Sequence, residues 1–126
     1  MKLDLYMPFF GRDFFNALEG LRECVVSGYL RALWYYWSHS HCSGLRDDRD
    51  FLRSICHISE ADWTYAEPII FGELFHLDND HLWQQNRCRE EYEKRNNLYE
   101  ARKGAGIVGA TARWNKFAKY PPKKKV

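Results

Sequence analysis

The chain has 126 residues, of which 45% are hydrophobic and 17% aromatic, and its formal net charge is +2. This length suits one domain, or one small domain with an appendage, and the many large side chains can fill a compact core. No apolar run reaches the roughly 18–20 residues of a membrane span, and the amino terminus lacks a signal-peptide pattern, so we expect a soluble, cytoplasmic protein. Four cysteines in such a chain predict free thiols rather than a disulfide framework.

The charges lie at opposite ends of the sequence. Residues 1–83 contain thirteen Asp and Glu against seven Lys and Arg, whereas residues 84–126 contain twelve Lys and Arg against four Glu. The two parts favour different partners, because a basic segment attracts phosphates and an acidic surface attracts cations. We therefore divide the chain into an acidic, aromatic-rich domain (1–83), a basic helix with a glycine-rich hinge (84–112) and a basic tail (113–126).

Three helices are predicted in the first domain. Apolar residues recur every three or four positions over 17–37, and because 29–37 is apolar nearly all round, we expect this helix to be enclosed. Core packing is the favoured interpretation of the aromatic block at 34–37, with a ring-bearing protein-binding surface as the alternative. A second helix fits 47–57, with Asp47 or Asp48 as its cap. Ser59 and Asp62 resemble a capping box that opens a third helix, which Pro68 would kink or divide near Glu67.

A short hairpin and a charged helix are predicted after the three helices. Residues 75–77 and 81–83 flank an Asp-Asn-Asp turn cluster, which predicts a short hairpin. A charged helix follows from 84 to about 103, where Gly104, Gly106 and Gly109 would interrupt it. Three helices, a hairpin and another helix predict a mainly α fold with a small β-hairpin. The arrangement would be a winged helix-turn-helix followed by a basic carboxyl-terminal helix and tail.

Several local motifs occur in a fixed order along the chain. They are Tyr-Met-Pro-Phe-Phe at 6–10, Asp-Phe at 13–14, Gly-Tyr-Leu-Arg-Ala-Leu at 28–33, Tyr-Trp at 36–37, Trp63, the hairpin, Arg-Lys-Gly at 102–104 and Ala-Arg-Trp at 112–114. This set resembles the YdaU-like family of prophage proteins, a domain of unknown function, over about residues 6–115. The resemblance implies a winged-helix fold similar to amino-terminal modules of phage replication initiators. Since such genes often accompany helicase loaders, it also implies a role in starting phage DNA replication.

Two segments depart from that family's pattern. The stretch at 104–112 is longer and more apolar than the usual glycine-rich link, and the loop at 39–42 is unusual. Because of these two departures, the detailed geometry of the carboxyl-terminal part does not follow from the resemblance.

The basic carboxyl-terminal part is the candidate nucleic-acid site. It combines phosphate-seeking charges with aromatic rings that can stack on bases. The candidate residues are Arg102, Lys103, Arg113, Trp114, Lys116, Lys119, Lys123, Lys124 and Lys125. The alternative is a solvated tail that aids solubility.

The third helix carries acidic residues and no basic ones. A winged helix that reads DNA normally places this helix in the major groove with Arg, Lys, Asn or Gln. Here phosphates would be repelled, so we expect a replication protein or a basic host protein to bind instead. The candidate residues are Glu60, Asp62, Glu67 and Glu73. The alternative function is a phage-encoded inhibitor of a host defence system, anti-CRISPR-like, that mimics nucleic acid with this acidic surface.

No catalytic arrangement can be assigned. The literal G-x-G-x-x-G at 104–109 lacks the preceding strand and the following acidic residue of a dinucleotide site. His39, His41 and Cys42 do not have the spacing of common zinc modules. We therefore predict a non-enzymatic protein with no catalytic residue, metal or cofactor.

Overall fold

The computed structural model describes residues 7–118, with side chains over 7–107. Its helices are α1 (Gly11–Ala17), α2 (Glu23–Ser38), α3 (Arg49–Cys56), α4 (Glu60–Ile70) and α5 (Asn86–Ala118), and its strands are β1 (Leu45–Arg46), β2 (His76–Leu77) and β3 (Leu82–Gln84). The described chain is mainly helical with a small three-stranded antiparallel sheet, which confirms the mainly α class. It divides into two compact units, Met1–Tyr92 and Glu93–Val126, and α5 contributes to both.

Helix α2 is the centre of the first unit. Its buried face includes Val25, Tyr29, Ala32 and Tyr36, and it packs against both α3 and α4. Gly28 allows this close packing, because a Cβ atom at that position would lie 2.5 Å from Ile58 Cδ1. A larger residue would have to push α2 away from the turn that precedes α4.

The predicted helix over 17–37 is wrong at its start. The chain forms α1, then a turn, and α2 begins only at Glu23. Gly20 adopts a φ of 79°, in the left-handed region that suits glycine, and so breaks the helix between the two elements. Leu18 lies in this turn and is still buried. The apolar spacing therefore continues across the break, and periodicity alone does not reveal that the helix ends there.

Both predicted helix caps are confirmed. Asp48 accepts hydrogen bonds from the backbone N–H groups of Asp50 and Phe51 at 3.1 and 3.2 Å, and the Ser59 hydroxyl accepts one from Asp62 at 3.2 Å. Helix α4 continues through Pro68 and ends at Ile70, so the expected division near Glu67 is wrong. Pro68 lies in the last turn of α4, and the helix ends two residues after it, at Ile70.

The sheet has the order β1-β3-β2, with β3 in the centre. The hairpin of β2 and β3 is confirmed, with Leu77 opposite Trp83. Strand β1 was not predicted; it pairs Leu45 with Trp83 on the other edge of β3. Two residues are too few to show the alternation by which strands are recognised, so only the pairing reveals this element.

A single buried amide connects these parts of the first unit. Gln84 is 3% exposed, and its Nε2 donates to the Ser43 carbonyl and to Asp78 Oδ2, both at 2.9 Å. Its Oε1 accepts from the Tyr36 hydroxyl at 2.7 Å. Gln84 thereby joins α2, the loop before β1 and the β2–β3 turn, and every polar atom of its side chain has a partner.

Two neighbours hold this amide in place. Asp78 Oδ1 also accepts hydrogen bonds from the backbone N–H groups of Asp80 and Leu82. The pKa of Asp78 lies below its usual value, mainly because of the hydrogen bond from Leu82 and next because of the one from Gln84. Gly44 has a φ of 133°, and a Cβ there would lie 2.8 Å from Gln84 Nε2. The loop can therefore reach the amide only with glycine at this position.

Helix α5 does not end at its glycines, so the predicted interruption at Gly104 is wrong. The helix runs through Gly104, Gly106 and Gly109 to Ala118. A helical glycine costs about 1 kcal/mol relative to alanine, which weakens a helix without ending it, and alanines flank these positions. Residues 119–126 of the predicted basic tail lie outside the described residues. None of the described helices is long and apolar enough to cross a bilayer.

We predict that Gln84→Ala destabilises the first unit by about 2–3 kcal/mol, because it leaves Tyr36, the Ser43 carbonyl and Asp78 without their shared partner. Urea unfolding followed by far-UV circular dichroism measures this loss. The control is Asn97→Ala, which removes an exposed amide and should change the free energy of unfolding by less than about 0.5 kcal/mol. Equal effects for the two variants would contradict the role given to Gln84.

Candidate functional site

An apolar groove opens on the first unit, between the segment that contains α1, helix α2 and the first turns of α5. Its volume is about 260 Å³, and Phe14, Tyr29 and Trp37 form its buried floor. Phe9 and Leu30 line it and are exposed. We call this feature the aromatic groove; its apolar lining is that of a binding site for apolar groups.

Ring contacts fix the shape of the aromatic groove. The Phe14 ring centroid lies 5.3 Å from that of Phe9 and 5.4 Å from that of Phe15, and it stacks on Tyr29 at 5.8 Å. Gln85 Nε2 donates to the Tyr29 hydroxyl at 3.0 Å, and burial raises the pKa of Tyr29. Tyr29 therefore stays neutral at physiological pH, and the floor of the groove carries no charge.

The prediction that α2 is enclosed holds for only part of its aromatic block. Tyr36 and Trp37 are buried, but Trp34 is 55% exposed and Leu30 is 40% exposed. Leu30 and Trp34 are four residues apart and so share one helix face. Because α3 and α4 pack on the other side of α2, the apolar residues of this face remain at the surface. The ring of Trp34 thus lies at the surface, and its role in protein binding stays a prediction.

Three charged residues, Asp13, Arg87 and Glu91, line the aromatic groove, and further arginines lie on its helices. Arg87 pairs with Asp13 and lies over the Phe10 ring at 4.2 Å from its centroid. Arg12 and Arg31 are exposed, and each lies three residues before an exposed ring in the same helix, Phe15 in α1 and Trp34 in α2. Residues three apart are neighbours on a helix surface, so arginines flank the exposed rings on both helices.

The four carboxylates of the predicted protein-binding site do not form a free acidic patch. Glu60 pairs with Arg49 at 2.9 Å and with Arg53 at 3.2 Å, Glu67 pairs with Arg49 at 3.6 Å, and Asp62 pairs with Arg22 at 3.0 Å. Glu73 is exposed. Three arginines from the start of α2 and from α3 thus neutralise most of the acidic charge around α4. Sequence analysis missed this because Arg22 is 40 positions from Asp62.

The predicted nucleic-acid residues are distributed along α5 and beyond it. Arg102 and Lys103 are exposed, as are Lys94 and Arg95 about two turns earlier, which sequence analysis left out. Arg113, Trp114 and Lys116 lie in the same helix, where only the backbone is described. Lys119, Lys123, Lys124 and Lys125 lie outside the described residues. The structure therefore brings five of the nine predicted residues into one helix.

The loop between α2 and β1 contacts the start of α5. His41 Nδ1 lies 3.0 Å from the Tyr92 hydroxyl, and Cys42 Sγ lies 3.9 Å from Cys88 Sγ. Over residues 7–107, no group of three or more His, Cys, Asp or Glu side chains could hold a metal ion. The contacts of this loop are thus with a phenol and a thiol.

We predict that Trp34→Ala changes the free energy of unfolding by less than about 0.5 kcal/mol, whereas Trp37→Ala lowers it by about 3–5 kcal/mol. The two rings are three residues apart in one helix, but Trp34 is 55% exposed and Trp37 is 2% exposed. Urea unfolding of both variants provides the measurement. A large loss for Trp34→Ala would mean that this ring packs inside the fold.

Comparisons of this chain with protein-family models, with curated proteins and with solved structures find no match. The resemblance to the YdaU-like family stays a prediction from local motifs. The surfaces that could bind a partner are the aromatic groove, the exposed rings of Phe15 and Trp34 with a neighbouring arginine each, the ion-paired surface of α4 and the basic helix α5.

Proposed function

We propose that this chain is a non-enzymatic, phage-type winged-helix protein that assists the initiation of phage DNA replication or the recruitment of a helicase. In this proposal its basic carboxyl-terminal part holds nucleic acid, and its globular part binds a protein. The winged-helix assignment is supported by the order α2-β1-α3-α4-β2-β3 and by the sheet order β1-β3-β2. In that topology the first strand follows the first helix and pairs with the last strand, and the final hairpin is the wing.

The contrast between α4 and α5 is the observation that carries the nucleic-acid part of the proposal. In a winged helix α4 would be the recognition helix, yet it contains no Lys or Arg, and the turn between β2 and β3 carries Asp78 and Asp80. Neither element carries a Lys or Arg side chain of its own to attract phosphates. Helix α5 instead presents exposed basic residues, among them Arg102 and Lys103. Binding through such charges has little sequence preference, because phosphates carry no sequence information.

The rival function, inhibition of a host defence system by nucleic-acid mimicry, has less support. A mimic needs carboxylates that are free to meet the basic groove of its target. Glu60, Asp62 and Glu67 are already paired with arginines of the same chain. The protein partner is therefore better sought at the aromatic groove than at α4.

For that groove we propose one occupant, an amphipathic helical segment of a partner protein with apolar anchors and acidic flanks. The apolar anchors suit the aromatic floor, and helices commonly bind apolar grooves with residues spaced three or four apart. The acidic flanks suit Arg12 and Arg31, which are exposed beside the rings of Phe15 and Trp34. Such charges steer the approach of the partner and set its orientation.

We predict that Arg102→Glu with Lys103→Glu lowers the affinity for single-stranded DNA about tenfold or more. Two favourable phosphate contacts would become repulsive, and the salt dependence of binding should become shallower. Fluorescence anisotropy with a labelled oligonucleotide, over a salt series, gives both quantities. The matched control is Arg12→Glu with Arg31→Glu, which changes the net charge by the same amount and should bind DNA nearly normally. Equal losses in the two double variants would contradict a site on α5.

We predict the reverse pattern for a labelled acidic amphipathic peptide of about 16 residues, with Leu and Phe on one face and Glu beside them. Arg12→Glu with Arg31→Glu should abolish its binding, and Arg102→Glu with Lys103→Glu should not. Leu30→Asp should also abolish binding, whereas Leu98→Asp, at a leucine that is similarly exposed on α5 (49% against 40%), should not. Binding that survives Leu30→Asp would exclude the aromatic groove as the docking site.

A further inference from the structure

Two of the four cysteines meet in the first unit, although they are 46 positions apart in sequence. Cys42 is buried in the loop after α2, and Cys88 is half-buried in the first turn of α5. Their Sγ atoms are 3.9 Å apart, and Cys42 Sγ also lies 3.8 Å from the Cys88 carbonyl oxygen, within reach of a weak S–H hydrogen bond. A disulfide has an S–S distance of about 2.05 Å, so the two sulfur atoms would have to approach each other by about 1.9 Å to bond.

The backbone holds Cys42 in this position. Cys42 has a φ of 58°, and His41 before it has a φ of 51°, which are left-handed conformations that residues other than glycine rarely adopt. The N–H of Cys42 donates to the Tyr36 carbonyl at 2.9 Å, and its carbonyl accepts from the Tyr36 hydroxyl at 3.2 Å. Strained residues persist only where their surroundings fix them, and here Tyr36 fixes the residue that meets Cys88.

The backbone of Cys88 is also held. Its N–H donates to Gln85 Oε1 at 2.7 Å, and Gln85 is bonded in turn to Tyr29. The two sulfur atoms are therefore presented to each other from two restrained segments. Neither segment needs to unfold or to move far for the sulfur atoms to react.

We propose that Cys42 and Cys88 are a redox-active dithiol, which a low-molecular-weight disulfide such as oxidised glutathione converts into an internal disulfide. The Cys88 thiolate attacks one sulfur of the oxidised glutathione, forms a mixed disulfide and releases one glutathione thiolate. The Cys42 thiolate then attacks Cys88 Sγ and releases the second glutathione. The two cysteines lose two protons and two electrons, and oxidised glutathione gains them as it becomes two thiols.

The thiol that attacks oxidised glutathione first is the one that the reagent can reach. Cys88 lines the aromatic groove and can be reached by a small reagent, whereas Cys42 is only 3% exposed. A reachable thiol beside a buried one is the arrangement of an attacking and a resolving cysteine. Cys56 provides a contrast, because it is buried in the core and burial raises its pKa to about 12, which keeps it protonated and unreactive.

The disulfide would connect the loop that carries Gly44 and Ser43 to the first turn of α5. It would close a loop of 46 residues in the unfolded chain and so stabilise the folded first unit. This inference concerns the first unit alone and does not depend on nucleic-acid or peptide binding. Its test can therefore fail while the proposed function stands, or succeed while that function fails.

The test is incubation of the full chain with oxidised glutathione, followed by intact-mass measurement, thiol counting and a non-reducing peptide map. We expect a mass loss of about 2 Da, a fall from four free thiols to two, and a Cys42–Cys88 linked peptide. The melting temperature should rise by about 5–15 °C and return to its starting value on reduction. Retention of four free thiols under these conditions would overturn the proposal.

Two variants test the order of attack. Cys42→Ser should accumulate a glutathione adduct of about 305 Da on Cys88, because the resolving thiol is gone. Cys88→Ser should leave Cys42 unmodified. Cys24→Ser, which removes a half-buried thiol in the first turn of α2, is the matched control and should still form the internal disulfide. If oxidation instead links two chains through Cys24, or if Cys88→Ser is modified at Cys42 as readily as wild type, the assignment is wrong.

Discussion

The buried amide of Gln84 is the interaction on which the first unit depends. It fills the space between α2, the loop before β1 and the hairpin, and it satisfies a hydroxyl, a carbonyl and a carboxylate at once. A buried polar group with all its partners specifies one arrangement, because each alternative leaves some of those partners unpaired. The requirement for glycine at position 44 follows from it, and so does the path of the loop that brings Cys42 to α5.

The charge of a sequence segment differs from the charge that its surface presents. Residues 1–83 are acidic in sum, but the carboxylates of α4 face arginines from α2 and α3. Exposed ion pairs of this kind contribute little to stability. They place positive charge beside the carboxylates of α4, so this surface is less negative than the residues of α4 alone. The apolar face of α2 then becomes the most distinctive surface of the first unit.

Local signals predicted part of this structure well. The caps at Asp48 and Ser59, the hairpin and the mainly α class follow from residues that lie within a few positions of one another. The features that were missed depend on distant residues or on small energy differences. Strand β1 exists only through its pairing with β3, Trp34 is exposed only because nothing in the described chain covers its face of α2, and α5 continues because glycine weakens a helix without ending it. The ion pairs of the predicted acidic site were missed for the same reason, since the arginine partners come from other elements of the chain.

The hydrogen bonds around Gln84 all point in one direction. Burial raises the pKa of Tyr36, so its hydroxyl stays protonated, and its one proton is shared between Gln84 Oε1 at 2.7 Å and the Cys42 carbonyl at 3.2 Å. Nε2 must then face the Ser43 carbonyl and the Asp78 carboxylate, which can only accept. The Tyr36 hydroxyl thus donates to the Gln84 amide, and the Gln84 amide donates in turn to the negatively charged Asp78 carboxylate. Position 84 therefore distinguishes two side chains of the same shape: it accommodates glutamine and rejects glutamate, whose second oxygen would meet two acceptors.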